Sequence, residues 1–568
     1  MKIALSQQNY HIGNFELNVK KIKEGIGQAK EKGADLVVFS ELCICGYPPR
    51  DFLEFNDFIN QCYTAIDALK EYADTVGVLI GAPSRNADPE GKDLFNSVFL
   101  LHDKEIKGVV HKTLLPTYDV FDEGRYFEPA YSWNVLEFKG KKLAVTICED
   151  IWNMGSNPLY RITPMEELIR FEPDIMINLS ASPYNYAQDV VRNSIVKAHT
   201  LKYHLPMLYC NTVGSQTEVV FDGGSLIYDH SGNCVKELKY FEEDFATIDY
   251  ADLISKEDRD TDSGDVKIYY AASEVGVGRD VLEYLTDEKN IAEIHAALIL
   301  GIKDYFSKMG FAKAIIGSSG GIDSAVTIAL AVEALGRENV RAVLMPSQYS
   351  TSHSVSDAEQ LSKNLGNPYD IIAIKNIYEA FLTGLAPVFK DLPFSVAEEN
   401  IQSRTRGNLL MAIANKFGYI LLNTSNKSEL ATGYGTLYGD MAGGLGVLGD
   451  VYKTQVYALA KYMNRQKEII PEHILIKAPS AELRPDQKDS DSLPEYDELD
   501  TILFKYIEER LGPKELIAQG FDEKLVSRIL RMVNVNEYKR NQFCPIIRVS
   551  YKAFGVGRRI PIVAKYLS

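Results

Sequence analysis

The stretch of the chain with the clearest chemistry is residues 317–324, which read Gly-Ser-Ser-Gly-Gly-Ile-Asp-Ser. A strand-like apolar run precedes it, and an apolar pattern of helical type follows from Ser324 to about Leu335. A tight turn between a strand and a helix N-terminus binds anions, because unpaired N–H groups and the helix dipole point at the same place. Asp323 would repel a phosphate group there unless a cation lay between them, which implies Mg²⁺. We therefore predict a phosphate-binding loop with a bound metal.

Three residues in the first half of the chain could form a nucleophilic site. Glu41, Lys112 and Cys148 each stand at or just past the end of a strand-like segment. A thiol becomes a strong nucleophile when a base removes its proton or a cation stabilises the thiolate. Glu41 can be that base, and Lys112 can stabilise both the thiolate and a developing oxyanion. Taken singly, each residue is more often an ordinary surface or core residue, so this interpretation requires that all three meet.

The pattern of apolar runs predicts two α/β domains that could position these residues. The first covers residues 1–250, a charged linker covers 251–286, and the second covers 287–568. In the second, strands separated by helical stretches predict a parallel sheet covered on both faces, with ligands at the carboxyl ends of its strands. The predicted strands are 2–6, 35–39, 76–80, 97–101, 143–147, 175–179, 207–210, 225–228 and 246–248, then 314–317, 340–345, 369–374 and 419–423; the predicted helices of the first domain are 14–32, 55–72, 164–171 and 187–204.

Composition narrows the class of protein further. The chain has 61 basic and 78 acidic residues among 568, a net charge of −17, which argues against general affinity for nucleic acid or anionic membranes. No apolar stretch has the ~18 residues of a membrane span, and the N-terminal residues turn polar too soon for a signal peptide. Seven scattered cysteines without Cys-x-x-Cys spacing suit a reducing compartment. We therefore expect a cytoplasmic protein that binds neither nucleic acid nor membrane.

The three nucleophilic-site residues resemble the Glu-Lys-Cys triad of the nitrilase superfamily. Their contexts are Phe-Ser-Glu-Leu, His-Lys-Thr-Leu-Leu-Pro and Ile-Cys-Glu-Asp-Ile-Trp. The resemblance implies an α-β-β-α sandwich that hydrolyses a C–N bond through a cysteinyl thioester. It makes Glu41 the base, Lys112 the oxyanion stabiliser, Cys148 the nucleophile and Glu123 a supporting carboxylate. The residues implied to hold a glutamine substrate are Tyr118, Glu149 and Ser182.

The phosphate loop lacks the Gly-Lys-Ser/Thr ending of the Walker-type loop. Its Ser-Gly-Gly-Ile-Asp-Ser order resembles the pyrophosphate loop of the ATP-pyrophosphatase family, which implies a doubly wound, Rossmann-like sheet and adenylation by ATP. Three further motifs, Asn-Ile-Gln-x-Arg-x-Arg, Asn-x-Ser-Asn-Lys-Ser-Glu and Gly-Tyr-Gly-Thr-Leu-Tyr-Gly-Asp, together with this loop resemble the glutamine-dependent NAD⁺ synthetases over nearly the whole chain.

This resemblance implies three sets of ligand-binding residues. The ATP set is Gly317, Ser319, Gly320, Gly321, Asp323, Ser324, Gln348, Arg404, Thr424, Lys453 and Ser480. The deamido-NAD⁺ set is Asn400, Arg406, Asp440 and Lys539. The Mg²⁺ set is Asp323 and Glu429.

The activity implied is adenylation of the nicotinate carboxylate of deamido-NAD⁺ by ATP, followed by amidation with ammonia released from glutamine. The products are NAD⁺, AMP, pyrophosphate and glutamate, and we expect a homo-oligomer. Two alternatives stay open at this point. One is another glutamine-dependent adenylating amidotransferase. The other is a nitrilase-type amidase with a nucleotide-sensing domain.

Overall fold

The structure is a computed structural model that describes residues 1–155, 158–255, 268–270, 272–480, 482–484, 487, 489 and 493–567. The chain divides into two compact units, Met1–Val275 and Gly276–Ser568. Of the linker expected over 251–286, residues 256–267 and 271 lie outside the described residues. Among the described residues, no helix is long and apolar enough to cross a membrane.

The strands of the first unit are β1 (Lys2–Gln7), β2 (Leu36–Val38), β3 (Gly77–Arg85), β4 (Leu94–His102), β5 (Glu105–His111), β6 (Leu136–Phe138), β7 (Lys141–Ile147), β8 (Ile175–Ser180), β9 (Met207–Asn211), β10 (Val213–Gln216), β11 (Val219–Asp222), β12 (Leu226–Tyr228), β13 (Cys234–Glu237) and β14 (Asp244–Asp249). Its helices are α1 (Phe15–Glu31), α2 (Asn56–Lys70), α3 (Pro164–Leu168), α4 (Gln188–Tyr203), α5 (Tyr250–Leu253) and α6 (Ala272–Val275).

The first unit is a four-layer sandwich. Among the described residues, one six-stranded sheet has the order β14-β1-β2-β3-β4-β5 and the other β13-β12-β9-β8-β7-β6. Side chains alternate along the strands: Leu36 and Val38 join the core shared with the other sheet, whereas Val37 joins the core under α1 and α2. On the second sheet, α4 packs against β9 and β12. The α-β-β-α architecture expected from the sequence is confirmed.

Two local features explain how the chain forms these layers. Asn14 caps α1 by accepting a hydrogen bond from the Leu17 N–H, and the helix buries Ile22, Ile26 and Ala29 on one face. Gly81 on β3 lets the segment that carries Glu41 lie against the strand. A Cβ atom on Gly81 would come within 2.3 Å of the Leu42 nitrogen, so a larger residue would push this segment away.

The strands of the second unit are β15 (Ala314–Gly317), β16 (Val340–Leu344), β17 (Tyr369–Ile371), β18 (Ile420–Asn423) and β19 (Leu445–Gly446). Its helices are α7 (Val281–Leu285), α8 (Glu288–Met309), α9 (Ile322–Leu335), α10 (Ser352–Leu365), α11 (Lys375–Phe389), α12 (Val396–Phe417), α13 (Lys427–Thr432), α14 (Lys453–Met463), α15 (Glu472–Ile476), α16 (Tyr496–Ile507), α17 (Pro513–Ala518), α18 (Glu523–Val535) and α19 (Glu537–Arg540).

The second unit is built on a parallel sheet with the order β17-β16-β15-β18-β19. Helix α9 covers β15 and β16, and α12 packs on β15 and β18. Ile315 on β15 joins the core under α12 together with Leu410 and Leu421. The strand order reverses between β15 and β18, and open sheets bind ligands at such a switch point. The doubly wound sheet expected from the sequence is confirmed.

Candidate active sites

The first unit holds a buried cluster of one lysine and two carboxylates. The Lys112 Nζ lies 2.7 Å from the Glu41 Oε1 and 2.8 Å from the Glu123 Oε1, and all three side chains are shielded from solvent. The Ala181 N–H donates to the Glu41 Oε2 at 3.0 Å, and the Tyr47 hydroxyl donates to Glu123 at 2.8 Å. The chain therefore brings together two residues from separate strand ends, Glu41 and Lys112, and the supporting carboxylate Glu123.

Cys148 opens the short helical turn Cys148–Ile151 directly after β7, with a φ of +41° that non-glycine residues rarely adopt. Asp150 anchors this turn. Its carboxylate accepts hydrogen bonds from the N–H groups of Thr113 (3.0 Å), Leu114 (2.8 Å) and Ile147 (3.0 Å). Because Thr113 and Leu114 follow Lys112 directly, Asp150 joins the turn that carries the thiol to the segment that carries the lysine.

The charges of this site act on each other. Burial raises the pKa of the Cys148 thiol above its ordinary value, and the Glu41 carboxylate acts in the same direction while Lys112 opposes it. Burial alone would lower the pKa of Lys112, but the carboxylates of Glu123 and Glu41 raise it well above the usual range. The lysine is therefore a permanent cation at neutral pH. The thiol is protonated at rest, so it needs a base when it attacks.

The residues expected to bind glutamine lie around the thiol. The Tyr118 hydroxyl donates to both oxygens of Glu149 at 3.0 Å, and burial raises the pKa of Glu149 to about 7. Ser182 is buried, and its N–H donates to the Asn211 Oδ1 at 2.9 Å.

The second unit holds a cavity of about 630 Å³ at the carboxyl ends of β15 and β18. The predicted phosphate loop forms one wall. Gly320 has a φ of +76°, and a Cβ atom there would come within 2.2 Å of the Ser354 carbonyl oxygen, so the turn requires glycine. The Ser318 hydroxyl is buried with no hydrogen-bond partner among the described residues, and Ser319 and Ser324 approach each other at 3.1 Å. Within the described part of the chain, the Ser318 hydroxyl is therefore a donor without a partner at the predicted anion site, whereas the Ser324 hydroxyl donates to the Gly321 carbonyl oxygen at 2.9 Å.

A second lysine lies between two carboxylates in this cavity. The Lys453 Nζ is 2.5 Å from the Asp323 Oδ2 and 3.8 Å from the Glu429 Oε1, and the Asn426 amide donates to the Asp323 Oδ1 at 2.8 Å. Burial, followed by the like charge of Asp323, raises the pKa of Glu429 well above its usual range, although Lys453 opposes this. One lysine therefore does not neutralise the pair.

The remaining predicted ligand residues extend along the same cavity. Arg404 and Arg406 lie two residues apart on α12. Arg404 donates to the Leu437 carbonyl oxygen at 3.2 Å, and Arg406 donates to the Met345 carbonyl oxygen at 3.0 Å. Burial lowers the pKa of Arg406 to about 10, although the negative charges of Glu482 and Asp440 oppose this. The other predicted residues on the cavity wall are Gly317, Gly321, Asn400, Thr424, Asp440, Ser480 and Lys539.

One predicted residue lies apart from the others. Gln348 is exposed in the turn after β16 and is not among the described residues that line the cavity. In contrast, Lys539 donates to the carbonyl oxygens of Gly433 (2.7 Å) and Gly435 (2.9 Å), and Asp440 accepts from the Ser403 hydroxyl at 2.5 Å. These last contacts hold the Gly-Tyr-Gly-Thr motif in place, so both residues shape the wall.

Sequence reasoning missed several residues that support these sites. Asp150 and Tyr47 hold catalytic-site groups, and Asn426 orients Asp323. Asp150 follows Cys148 closely in the chain, which is a signal that could have pointed to it. Asn426 lies inside the Asn-x-Ser-Asn-Lys-Ser-Glu motif, which is also such a signal. Tyr47 carries none, because only the fold shows where its hydroxyl points.

Known proteins of the same length resemble the whole chain. A family model for carbon–nitrogen hydrolases matches residues 2–256, and one for NAD synthase matches residues 294–543. The chain is 44% identical to a glutamine-dependent NAD(+) synthetase of Synechocystis sp., with 99% of each chain covered. It is 42% identical to one of Thermotoga maritima, with 100% of this chain and 99% of the relative covered. The solved structure of the glutamine-dependent NAD+ synthetase from Acinetobacter baumannii in complex with adenosine diphosphate is 36% identical and superposes with a TM-score of 0.74 over 100% of this chain and 99% of that chain.

Proposed function

The chain belongs to the family of glutamine-dependent NAD(+) synthetases, and from that premise we propose which residues carry its two half-reactions. The first unit releases ammonia from glutamine. The second adenylates the nicotinate carboxylate of deamido-NAD⁺ with ATP and amidates it, giving NAD⁺, AMP, pyrophosphate and glutamate. The observation that supports this most strongly is that one lysine–carboxylate cluster lies beside a thiol in the first unit and another lies beside a phosphate loop in the second.

In the glutaminase half-reaction, the Cys148 sulfur attacks the side-chain carbonyl carbon of glutamine. Glu41 accepts the thiol proton, which is needed because burial keeps the pKa of Cys148 high. Lys112 donates to the oxyanion that forms, and the fixed position between Glu41 and Glu123 orients its ammonium group. Ammonia leaves, and water hydrolyses the thioester to glutamate.

Glutamine is held by groups on either side of the thiol. We assign its α-ammonium group to the Glu149 carboxylate, which is buried and already accepts the Tyr118 hydroxyl. Ser182 contributes a further polar contact from the segment after β8. An ionic contact in a buried pocket gives specificity for an amino-acid amide, since an amide without the charge leaves the carboxylate unpaired.

In the synthetase half-reaction, the phosphate loop and the N-terminus of α9 bind the ATP phosphates. Lys453 and Arg404 offset the charge that develops when the nicotinate carboxylate attacks the α-phosphorus and pyrophosphate leaves. Thr424 and Ser480 complete the proposed ATP site on the cavity wall, whereas Gln348, which the sequence also assigned to ATP, does not line the cavity. Asn400, Arg406, Asp440 and Lys539 are the proposed contacts to deamido-NAD⁺. Ammonia then displaces AMP from the adenylate.

The cavity also fits a magnesium ion. Asp323 and Glu429 supply hard oxygen donors, and when both are ionised their two negative charges exceed the one positive charge of Lys453. Mg²⁺ commonly binds through one or two carboxylates together with substrate phosphates, which agrees with two carboxylates here and no group of three or more metal-binding side chains among the described residues. When bound, the ion neutralises charge on the phosphates.

We further propose that the protein acts in the cytoplasm as a homo-oligomer, without nucleic acid or membrane. The net charge of −17 disfavours polyanionic partners. Helix α11 leaves Phe381 and Val388 exposed, an apolar surface that a second copy could cover. Light scattering at two protein concentrations would measure the oligomeric state.

The direct test of the function is product analysis of the purified protein. Deamido-NAD⁺, ATP, Mg²⁺ and glutamine should give NAD⁺, AMP, pyrophosphate and glutamate in equal amounts. AMP formation with another carboxylate, and none with deamido-NAD⁺, would reassign the substrate. Glutamate formation without AMP under all conditions would favour the amidase alternative.

A further inference from the structure

A buried amide also bridges the two carboxylates of the glutaminase site. The Asn96 Nδ2 donates to the Glu41 Oε1 at 2.7 Å and lies 3.4 Å from the Glu123 Oε2. Lys112 bridges the same pair of carboxylates through its ammonium group. We propose that Asn96 is a positioning residue of the glutaminase reaction, whose amide donates to both carboxylates and keeps them aimed at Lys112. This inference rests on the proposed function of the first unit.

The position of Asn96 in the sheet explains how its amide reaches both groups. Asn96 lies on β4, and its carbonyl oxygen accepts the backbone N–H of Lys112 at 2.8 Å just beyond the end of β5. Strand pairing therefore places the two residues side by side. Both side chains are fully shielded from solvent. Asn96 is thus fixed by the same pairing that fixes the catalytic lysine.

The hydrogen bonds of the Asn96 side chain favour a role at the site over a packing role. Within the described part of the chain, both go to these two carboxylates, and the Oδ1 is buried without a partner. An unpaired buried carbonyl group is unfavourable, so an apolar residue would pack here at lower cost. What an apolar residue could not supply is the pair of N–H donors.

The site has a specific need for a neutral donor. Two buried carboxylates share one lysine, and burial raises the pKa of Glu123 to about 7, with a further contribution from the Glu41 charge and opposition from Lys112. A hydrogen bond to an ionised carboxylate favours that form over the protonated one. Asn96 therefore supplies hydrogen-bond donors to the carboxylate form of both groups, the form in which Glu41 can accept the thiol proton. It does so without a second positive charge that would weaken Glu41 as a base.

The test is the pH dependence of glutaminase kcat/KM in Asn96→Asp and Asn96→Ala. Asn96→Asp keeps the shape of the side chain, removes the N–H donors and adds a like charge. We expect its kcat/KM to fall about 100-fold at neutral pH, with the acidic limb of the profile moved up by more than about one pH unit. Asn96→Ala should lose about tenfold with a smaller upward shift. If Asn96→Asp fails to fold, the upward shift of the acidic limb in Asn96→Ala tests the proposal by itself.

A packing role predicts the opposite order. Asn96→Asp would then be close to wild type, Asn96→Ala would be the weaker enzyme, and neither would move the acidic limb; this result would overturn the proposal.

Asn18→Ala is the matched control, because Asn18 is an equally buried amide whose Nδ2 donates to the backbone carbonyl oxygens of His11 and Ile44. It should leave the acidic limb in place. NAD⁺ formation from ammonium, measured on the same samples, shows that each variant retains the second unit's activity. A wild type that releases no ammonia from glutamine would refute the proposed function itself.

Discussion

Each candidate site has a lysine between two carboxylates, but the two site clusters differ in geometry and exposure. In the first, Lys112 has distances of 2.7 and 2.8 Å to its partners, whose side chains are 0% and 6% exposed. In the second, Lys453 has distances of 2.5 and 3.8 Å, and its partners are 18% and 16% exposed. The first cluster is closed and symmetric, so its charges are arranged before substrate arrives. The second is open, since it is partly exposed, and its two lysine–carboxylate distances are unequal. This is expected for a site that is complete only when a cation and phosphates bind.

This difference agrees with the two chemistries that we propose for the clusters. A base and an oxyanion stabiliser act best when no reorganisation is needed at the moment of reaction. A site for ATP must instead admit a large, highly charged ligand and leave room for counter-charges. The same combination of one lysine and two carboxylates therefore suits a preassembled catalytic group in one unit and a partly assembled binding site in the other.

The largest effect should come from removing the lysine of the closed cluster. Lys112→Met leaves two buried carboxylates without a cation, which costs about 3–5 kcal/mol in the free energy of unfolding, and it removes the oxyanion donor. We expect glutamine-dependent NAD⁺ formation to fall by at least about 10⁴-fold. Thermal unfolding and an assay with glutamine measure the two effects.

Lys453→Met is the matched change in the open cluster. It should destabilise the protein less, because its carboxylates remain partly solvated and can protonate or bind cations. Equal losses of stability in the two variants would contradict the distinction between a closed and an open cluster.

An intermediate effect is expected from Asp323→Asn. This change keeps the shape of the side chain but removes one of the two proposed Mg²⁺ ligands, so NAD⁺ formation should fall about 10²–10³-fold. The loss should be the same with glutamine and with ammonium, since Asp323 serves the adenylation step. The Mg²⁺ concentration needed for half-maximal rate should rise. A loss confined to glutamine would place Asp323 outside that step.

The smallest effect concerns the pH dependence of glutamine binding. Burial raises the pKa of Glu149 to about 7, so its carboxylate is ionised above this pH and protonated below it. If it pairs with the α-ammonium group of glutamine, lowering the pH from about 8 to about 6 should raise KM for glutamine about tenfold. Glu149→Gln should raise KM at high pH and remove this dependence. A pH-dependent KM that persists in Glu149→Gln would assign the titration to another group.

The sequence predicted helices and strands well where the local pattern of apolar residues determines the element. The helix predicted over 14–32 is Phe15–Glu31, and the strand predicted over 143–147 is Lys141–Ile147. It missed β5 (Glu105–His111) and β13 (Cys234–Glu237), since their alternating charged residues lack the apolar run of a buried strand. It also extended β17 to residue 374, whereas the strand ends at Ile371.

The site residues that could be predicted from the sequence were those with a reactive side chain at the end of a predicted strand. Glu41, Lys112 and Cys148 stand at strand ends in short recognisable contexts, and the fold brings Glu41 and Lys112 into contact. Asn96 was not predictable, because an asparagine inside a strand is indistinguishable in sequence from any buried polar residue. Its role depends on two carboxylates that lie 55 and 27 residues away in the chain. Contacts at such separations come from the fold and not from local spacing.

The measurement that tests the account most directly is NAD⁺ formation by wild type and Cys148→Ala with glutamine or ammonium as the nitrogen source. Deamido-NAD⁺, ATP and Mg²⁺ are present throughout. The account predicts that wild type uses both sources, while Cys148→Ala uses only ammonium at an undiminished rate. Undiminished use of glutamine by Cys148→Ala would contradict the assignment of the nucleophile. Loss of both sources would contradict the claim that the two clusters carry separate half-reactions.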